Sequence, residues 1–327
     1  MAIKLSVGIP TYNQAAFLKD AIDSLLRQET KPYEIVVSNN HSTDETKDVL
    51  ANYKNLITVV MPEQHMEMTA HYNFTVSQLS GDWFCLLSSD DIAKENYITN
   101  LKEGVELSKN SILVRGGWEN IDQNGEVKDK RYLLSVDKIT SPPNTFLENL
   151  LGPKISFAAF ACKKEIWEKV GGFPDECSLV SDWGFWILIS PYGDFVYQHE
   201  IISQYRMHYR PGIEQSRLIE WLRDELTISL GIIPKVALKF QGIEANYLKK
   251  YSKKRLIQCL DTVLENNYSL SIEAINELDK WAKYCEGAKE LLIFKAGKKK
   301  YFQYIRKKLQ LIYKNKILRS IFTFFYK

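Results

Sequence analysis

Two adjacent carboxylates, Asp90 and Asp91, stand just past the apolar run Trp83-Phe84-Cys85-Leu86-Leu87, separated from it only by Ser88 and Ser89. A short run of this kind reads as a buried strand. Such a strand delivers its last residues to the carboxyl edge of a sheet, where ligands of open α/β folds collect. Carboxylates at that edge are hard oxygen donors, and Mg2+ or Mn2+ is commonly held by one or two of them together with substrate phosphates. The chemistry would be the handling of a phosphate-bearing donor through a divalent metal. The same residues serve as a helix N-cap, because Ser or Asp ahead of the helical segment Glu95 to Leu107 satisfies free backbone N–H groups. Taken alone, the stretch supports both readings.

A further carboxylate opens an apolar helix. Asp182 lies in Ser181-Asp182-Trp183-Gly184-Phe185-Trp186, after a helix from Lys164 to Lys169 and the glycine turn Val170-Gly171-Gly172-Phe173-Pro174. An unperturbed Asp, with a pKa of about 3.9, is ionised at neutral pH and can take a proton from an attacking hydroxyl. It can equally cap its helix and complement the dipole. Trp183 and Trp186 could offer flat aromatic faces to a ligand, and Trp186, in the run Phe185-Trp186-Ile187-Leu188-Ile189, suits the core at least as well.

These residues need a scaffold, and residues 3 to about 118 alternate strand and helix patterns. Lys4-Leu5-Ser6-Val7-Gly8-Ile9 reads as a strand that breaks at Pro10, before Thr11-Tyr12-Asn13 and the helical spacing of Phe17, Leu18, Ile22, Leu25 and Leu26. Glu34 to Ser38 is a second strand running into Asn39-Asn40-His41-Ser42-Thr43-Asp44, where Ser42 or Thr43 can cap the next helix. Further segments follow: a strand over Leu56 to Val60, a helix over Tyr72 to Leu79, and later strands at Ile112 to Gly117 and Phe157 to Ala161. From about Glu214 the chain reads as helices, with Trp221, Leu222, Leu226, Leu256, Leu260 and Val263 at helical spacing. The expected division is residues 1–212 and 213–327.

As a set, the Pro10-Thr11-Tyr12-Asn13 turn, the polar loop from Asn39 to Asp44 and Ser88-Ser89-Asp90 resemble the family 2 glycosyltransferases over roughly residues 3 to 210. In that family the corresponding motifs are a Pro-x-Tyr-Asn turn, an Asp-Asp-Gly-Ser-Thr-Asp-like loop and an Asp-x-Asp loop. The resemblance implies the GT-A fold: α/β, with a Rossmann-like nucleotide-binding half and a mixed central sheet, here followed by a C-terminal helical region. It implies a nucleotide-sugar site at Pro10, Thr11, Tyr12, Asn13, Asn39, Asn40, Ser88, Ser89, Asp90 and Arg206. A Mn2+ or Mg2+ site is implied at Asp90, Asp91 and His208: Tyr205-Arg206-Met207-His208 resembles the family's Tyr-Arg-x-His segment on a loop returning to the donor, where His208 would complete the metal shell and Arg206 pair with the diphosphate. Gly171-Gly172-Phe173 precedes the family's Glu-Asp pair, whose Asp acts as general base; Asp182 matches it, with Ser181 in place of Glu. Gly172 and Trp183 are then expected near the acceptor. Ser88 replaces the first Asp of Asp-x-Asp, and Asn39 and Asn40 replace aspartates, so Asp90 would carry the metal, and an amide could still meet a pyrimidine edge.

Composition agrees with an enzyme. Of 327 residues, 45% are hydrophobic and 25% charged, enough for a sizeable core. Five cysteines without a Cys-x-x-Cys pair suggest neither a disulfide framework nor a zinc ribbon. No signal-peptide pattern and no apolar stretch of about 20 residues is present, so a cytoplasmic protein is expected. The formal charge of +3 is asymmetric: between Lys289 and Lys327, twelve basic residues face Glu290 alone, a net +11, which leaves −8 on residues 1–288. Phe302, Ile305, Leu309, Ile312 and Ile317 form one stripe of a helix with Lys300, Lys307 and Lys314 nearly opposite. That tail, about 289–327, suits the surface of an anionic membrane or packs on the protein with a solvated basic face. No nucleic-acid-recognition motif accompanies the charge, which argues against a nucleic-acid partner.

The resulting expectation is an inverting, metal-dependent transferase that moves one sugar from a nucleotide-diphospho-sugar, a UDP-sugar foremost, to a glycan or lipid-linked glycan acceptor. It would work at the inner face of a bacterial membrane in surface-polysaccharide synthesis, and a homo-oligomer is compatible with the sequence. The Gln-x-x-Arg-Trp motif of processive members is missing, which implies single-sugar addition. Two alternatives are a catalytically silent donor-binding or scaffolding relative, and a nucleotidyltransferase. The latter would be expected to carry a glycine-rich basic loop that Pro10-Thr11-Tyr12-Asn13 does not supply.

Overall fold

The computed structural model describes residues 2–131, 135–207, 215–266, 268–286 and 291. The chain divides into two compact units, Met1–Arg210 with Lys235–Phe240, and Pro211–Pro234 with Gln241–Lys327.

The first unit is organised by one mixed sheet of β1 (Leu5–Thr11), β2 (Glu34–Asn39), β3 (Thr58–Val60), β4 (Trp83–Leu86), β5 (Ile92–Ala93), β6 (Ser111–Ile121), β7 (Val127–Arg131), β8 (Lys138–Thr140), β9 (Phe160–Lys163) and β10 (Asp194–Arg206). The spatial order is β3-β2-β1-β4-β9-β6-β10-β5, with β7 on β6 and β8 on β10. Strands β1 to β4 are parallel, and β9 runs antiparallel to both β4 and β6. Side chains alternate across the sheet, so both faces need cover. Val7, Cys85 and Leu87 pack with Leu18, Ile22 and Leu25 of the helix Ala15–Leu26 on one side. Val36, Phe84 and Leu86 meet Val76, Phe173, Phe185 and Trp186 on the other. The helices Met68–Ser77 and Ser181–Ile189 therefore share a face of the sheet. Each fully buried Leu, Ile or Phe contributes roughly 1.5–3 kcal/mol.

Several expectations are corrected. The first strand does not break at Pro10 but continues to Thr11. Alternate residues of a strand aim their N–H groups at the same neighbour, and Pro10 lacks its N–H on the β4 side, where pairing has already stopped at Gly8 and Leu86. Neither Ser42 nor Thr43 caps the helix Thr46–Ala51; Asp44 Oδ1 accepts from Thr46 N at 3.1 Å. Tyr205 and Arg206 end the 13-residue strand β10 rather than lying on a loop. That strand was not legible as one, because register shifts between Tyr197 and Ser203 break its alternation.

The second unit is helical, with Leu218–Leu226 running through a π-helical segment, Thr227–Ile232, and with Ala245–Glu265 and Ile272–Tyr284 beyond. Arg255 Nε donates to the buried Glu225 Oε2 at 2.8 Å, and Trp281 Nε1 donates to Ser252 Oγ at 2.8 Å. No described helix is long and apolar enough to cross a membrane.

Candidate active site

Two strand ends are laced together at the carboxyl edge. Asn13 takes a left-handed backbone, φ 52°, and donates its N–H to Ser42 Oγ at 3.0 Å, while its Oδ1 accepts from Thr43 N at 2.8 Å. Ala15 N donates to Asp44 Oδ2 at 3.0 Å, which joins the first helix to the second loop. Pro10 and Thr11 are buried within β1, whereas Tyr12 is 46% exposed beside His65, ring centroids 4.7 Å apart. Asn39 and Asn40 are buried and occupied. Asn39 Oδ1 accepts from Ser42 N at 3.0 Å; Asn40 donates to Met66 O at 2.8 Å and accepts from Met66 N at 2.9 Å. The Asn40 amide edge expected to meet a base instead fixes the segment that enters the helix Met68–Ser77. Tyr12 is the exposed aromatic ring of this edge, beside the exposed Asn13 and Thr43.

The acidic loop follows β4, whose alignment Leu87 N prolongs by donating to Gly8 O at 3.0 Å. Asp91 N then closes a turn onto Ser88 O at 3.0 Å, with Ser89 buried, and Ser88 and Asp90 half-buried. Arg206 buckles the loop from β10. Its N–H donates to Asp91 Oδ1 at 2.9 Å, its Nε to Asp90 O at 2.8 Å, and its Nη1 to Asp122 O and Gln123 O, each at 3.1 Å. The guanidinium lies 4.8 Å from the Phe17 ring centre and is 4% exposed. Arg206 thus spends its planar fork on protein carbonyls, a correction to its expected place on the diphosphate. Burial, then the charge of Asp90, pushes the Asp91 carboxyl well above the usual range against the pull of Arg206.

The donor set fits a divalent cation shared with phosphates. Asp91 Oδ2 is a buried carboxylate oxygen without a hydrogen-bond partner, and Asp90 lies one residue before it. Among the described residues, no group of three or more His, Cys, Asp or Glu gathers to hold a metal, so a cation here needs substrate oxygens to complete its shell. His208 lies outside the described residues.

Asp182 sits in the first turn of the helix Ser181–Ile189, and its Oδ1 accepts from Trp183 N at 2.7 Å. Burial raises its pKa to about 6, partly offset by the N–H groups of Trp183 and of Asp182 itself. Two tyrosine hydroxyls feel both it and the acidic loop. Tyr72 is pushed up by burial, then by Asp182 and Asp90; Tyr205 is pushed up to about 12 by burial, then by Asp91, Asp90 and Asp182. The charges of Asp90 and Asp182 thus both reach Tyr72 and Tyr205.

The expected acceptor residues lie elsewhere. Trp183 is fully buried and donates its indole N–H to Asn149 O at 2.7 Å, so it is core. Gly172 is buried at φ 91°, where a Cβ would come 2.5 Å from Asn73 Oδ1; its role is backbone geometry. Tyr72, Asn73 and Thr69 were missed by sequence reasoning. Their signal is polar residues on a helix that also buries Val76.

The sheet order and the acidic loop at its carboxyl edge define a GT-A nucleotide-binding fold. Residues 6–166 match the profile described as Glycosyl transferase family 2, so this segment carries that family's domain. An uncharacterized glycosyltransferase of Rickettsia prowazekii is 29% identical over 210 residues, 62% of this chain and 64% of its own length. The chain thus spans just under two thirds of that relative. The Campylobacter jejuni GalNAc(5)-diNAcBac-PP-undecaprenol beta-1,3-glucosyltransferase is 34% identical over 148 residues, 40% of this chain and 48% of that protein. S. aureus TarS 1-349 in complex with UDP-GlcNAc shares the fold, with a TM-score of 0.67, 17% identity, and coverage of 86% of this chain and 82% of that one.

Proposed function

We propose that this protein is an inverting, metal-dependent glycosyltransferase that moves one sugar from a nucleotide-diphospho-sugar, a UDP-sugar foremost, to a hydroxyl of a glycan acceptor. The observation that supports the reading is the acidic loop Ser88–Asp91 at the carboxyl edge of the sheet, buckled by Arg206, with a second carboxylate, Asp182, in the first turn of its own helix and raised to about 6. A base of that pKa is ionised at pH 7 and retains driving force to accept a proton. The acceptor oxygen bonds to the anomeric carbon as the carbon–oxygen bond to the diphosphate breaks. Its proton passes to Asp182, and the bonding electrons leave on the diphosphate. Displacement from the opposite face inverts the carbon and requires no covalent intermediate.

Asp90 and Asp91 would hold Mn2+ or Mg2+, which supplies charge to the departing diphosphate when bound. Tyr12 offers an exposed ring on which a nucleotide base can stack. UDP is favoured because the S. aureus structure of like fold carries UDP-GlcNAc, and a lipid-linked acceptor because the C. jejuni relative is named for one. An acceptor on a lipid, together with the +11 tail, supports a site of action at the inner membrane face.

Calorimetric titration of UDP, UDP-Glc, UDP-Gal, UDP-GlcNAc and UDP-GalNAc with and without Mn2+ tests the reading. At least one should bind in a Mn2+-dependent manner, and Asp90→Ala should abolish both that dependence and donor turnover. Near-normal turnover by Asp90→Ala in the presence of a chelator would overturn the metal mechanism.

A further inference from the structure

The helix Met68–Ser77 and its lead-in contact both the loop after β2 and the turn that precedes Asp182. At the nucleotide end, Met66, just ahead of it, is paired on both sides with the Asn40 amide, and its His71 Nε2 meets Ser38 Oγ of β2 at 2.8 Å. Burial pulls the His71 ring down to about 4, so it is neutral here and serves as a hydrogen-bonding link. At the other end the helix grips a segment about a hundred residues away in sequence. Asn73 Oδ1 accepts from Phe173 N at 2.8 Å and from Trp167 Nε1 at 3.3 Å, while its Nδ2 donates to Phe173 O and to Asp175 Oδ1, both at 2.9 Å. Thr69 Oγ1 donates to Cys177 O at 2.7 Å. One amide thus holds the glycine turn from both sides of Phe173, and Gly172 is the residue that lets the backbone approach it so closely.

The turn it grips, Gly171 to Cys177, leads directly into the helix that begins at Ser181 and carries Asp182. We propose that Asn73 is a positioning residue for the transfer step: it sets the Gly171–Cys177 turn, and through it the place of Asp182, against the nucleotide edge that the same helix holds. The inference rests on Asp182 being the base. Asn73 touches no reacting atom. It fixes the distance between the proton acceptor and the donor site, a quantity to which transfer is steeply sensitive, because a misplacement of about 1 Å can cost roughly a hundredfold in rate.

The experiment uses the full chain with Mn2+ and whichever of UDP-Glc, UDP-Gal, UDP-GlcNAc and UDP-GalNAc it hydrolyses, read as UDP release, together with hydrogen exchange of residues 171–177. Asn73→Ala should keep UDP affinity within about twofold, lose roughly a hundredfold in kcat, and exchange faster across the turn. Its acid limb should move below pH 6, since a loosened turn admits water to Asp182, whose raised value comes from burial against the pull of the Trp183 and Asp182 N–H groups, the charged and titratable groups around it being Tyr72 and Tyr205, on which Asp90 also acts. Asn73→Asp sets a carboxylate against Asp175 and should do the same. Adding Asp175→Asn restores a donor–acceptor pair in reversed sense and should recover part of kcat, which also answers the case in which Asn73→Ala does not fold. A folded Asn73→Ala with wild-type kcat, acid limb and exchange would overturn the inference, as would weakened UDP binding at unchanged kcat. Wild-type turnover by Asp182→Asn would instead remove the base assignment; unchanged exchange in Asn73→Ala would then overturn the hold on the turn as well.

Discussion

Asp182 combines two properties that a mere helix cap does not need. Its carboxyl is held at about 6 by burial, and its charge reaches the same Tyr72 hydroxyl as that of Asp90. A cap is most useful when ionised, and burial works against that. The linkage sign follows from the raised value: the folded protein binds the Asp182 proton more tightly than the unfolded chain, whose value is near 3.8. Stability from this group is therefore fully present below about pH 4 and is lost as pH rises through about 6. Activity runs the other way, because only the ionised form accepts a proton, so kcat should fall as pH drops below about 6. Asp182→Asn keeps an acceptor for Trp183 N but cannot take the proton. It should bind UDP normally, lose about 10²–10⁴ in transfer rate, and melt at or above the wild-type temperature at pH 7.5. Wild-type transfer by a folded Asp182→Asn would return the residue to the role of cap.

Arg206 shows how β10 and the loop after β4 form one working piece. Three of its contacts are to backbone carbonyls and a fourth, from its own N–H, is to Asp91, so the side chain shapes the acidic loop from beneath. Lysine carries the charge but not the fork. Arg206→Lys should lose about 1–3 kcal/mol in urea unfolding, from stranded carbonyls in a buried site, and should weaken Mn2+-dependent UDP binding more than it weakens UDP binding alone. Equal stability with unchanged Mn2+ dependence would show that the loop holds its shape without the guanidinium.

Strands β1, β2 and β4 were legible because each is an apolar run ended by small polar residues, and their loops do meet at one edge. What could not be read was direction. Trp183 begins a run, Trp183 to Ile189, that is buried almost throughout, so it turns inward to Asn149. Asn39 and Asn40 looked available as polar loop residues, yet a loop that must hold its own backbone consumes such amides first. Asn73 depends on contacts across a hundred residues, and no local pattern carries that information.

Charge is distributed along the whole chain in a way that the cleft alone does not require. A net −8 over residues 1–288 would repel a diphosphate and an anionic bilayer alike, whereas the +11 of residues 289–327 offsets it at one end. Apart from Leu291, residues 287–327 lie outside the described residues, so the case for them is made on composition. Lys and Arg near an anionic leaflet contribute about 1 kcal/mol each, so four engaged residues give about 4 kcal/mol, near a thousandfold in partitioning. The attraction should fade with salt as the Debye length drops from about 10 Å at 0.1 M to about 3 Å at 1 M. A chain truncated after Lys295 should accordingly stop sedimenting with phosphatidylglycerol-containing vesicles while still binding UDP and releasing it from the donor. If both lengths sediment equally, Ile305, Leu309 and Ile312 serve to pack against protein, and the truncated chain should then show a lower melting temperature or a changed oligomeric state. If only the full-length chain binds vesicles, and binding is lost at 1 M salt, the tail acts as an electrostatic tether that brings the cleft to an acceptor confined to the membrane surface.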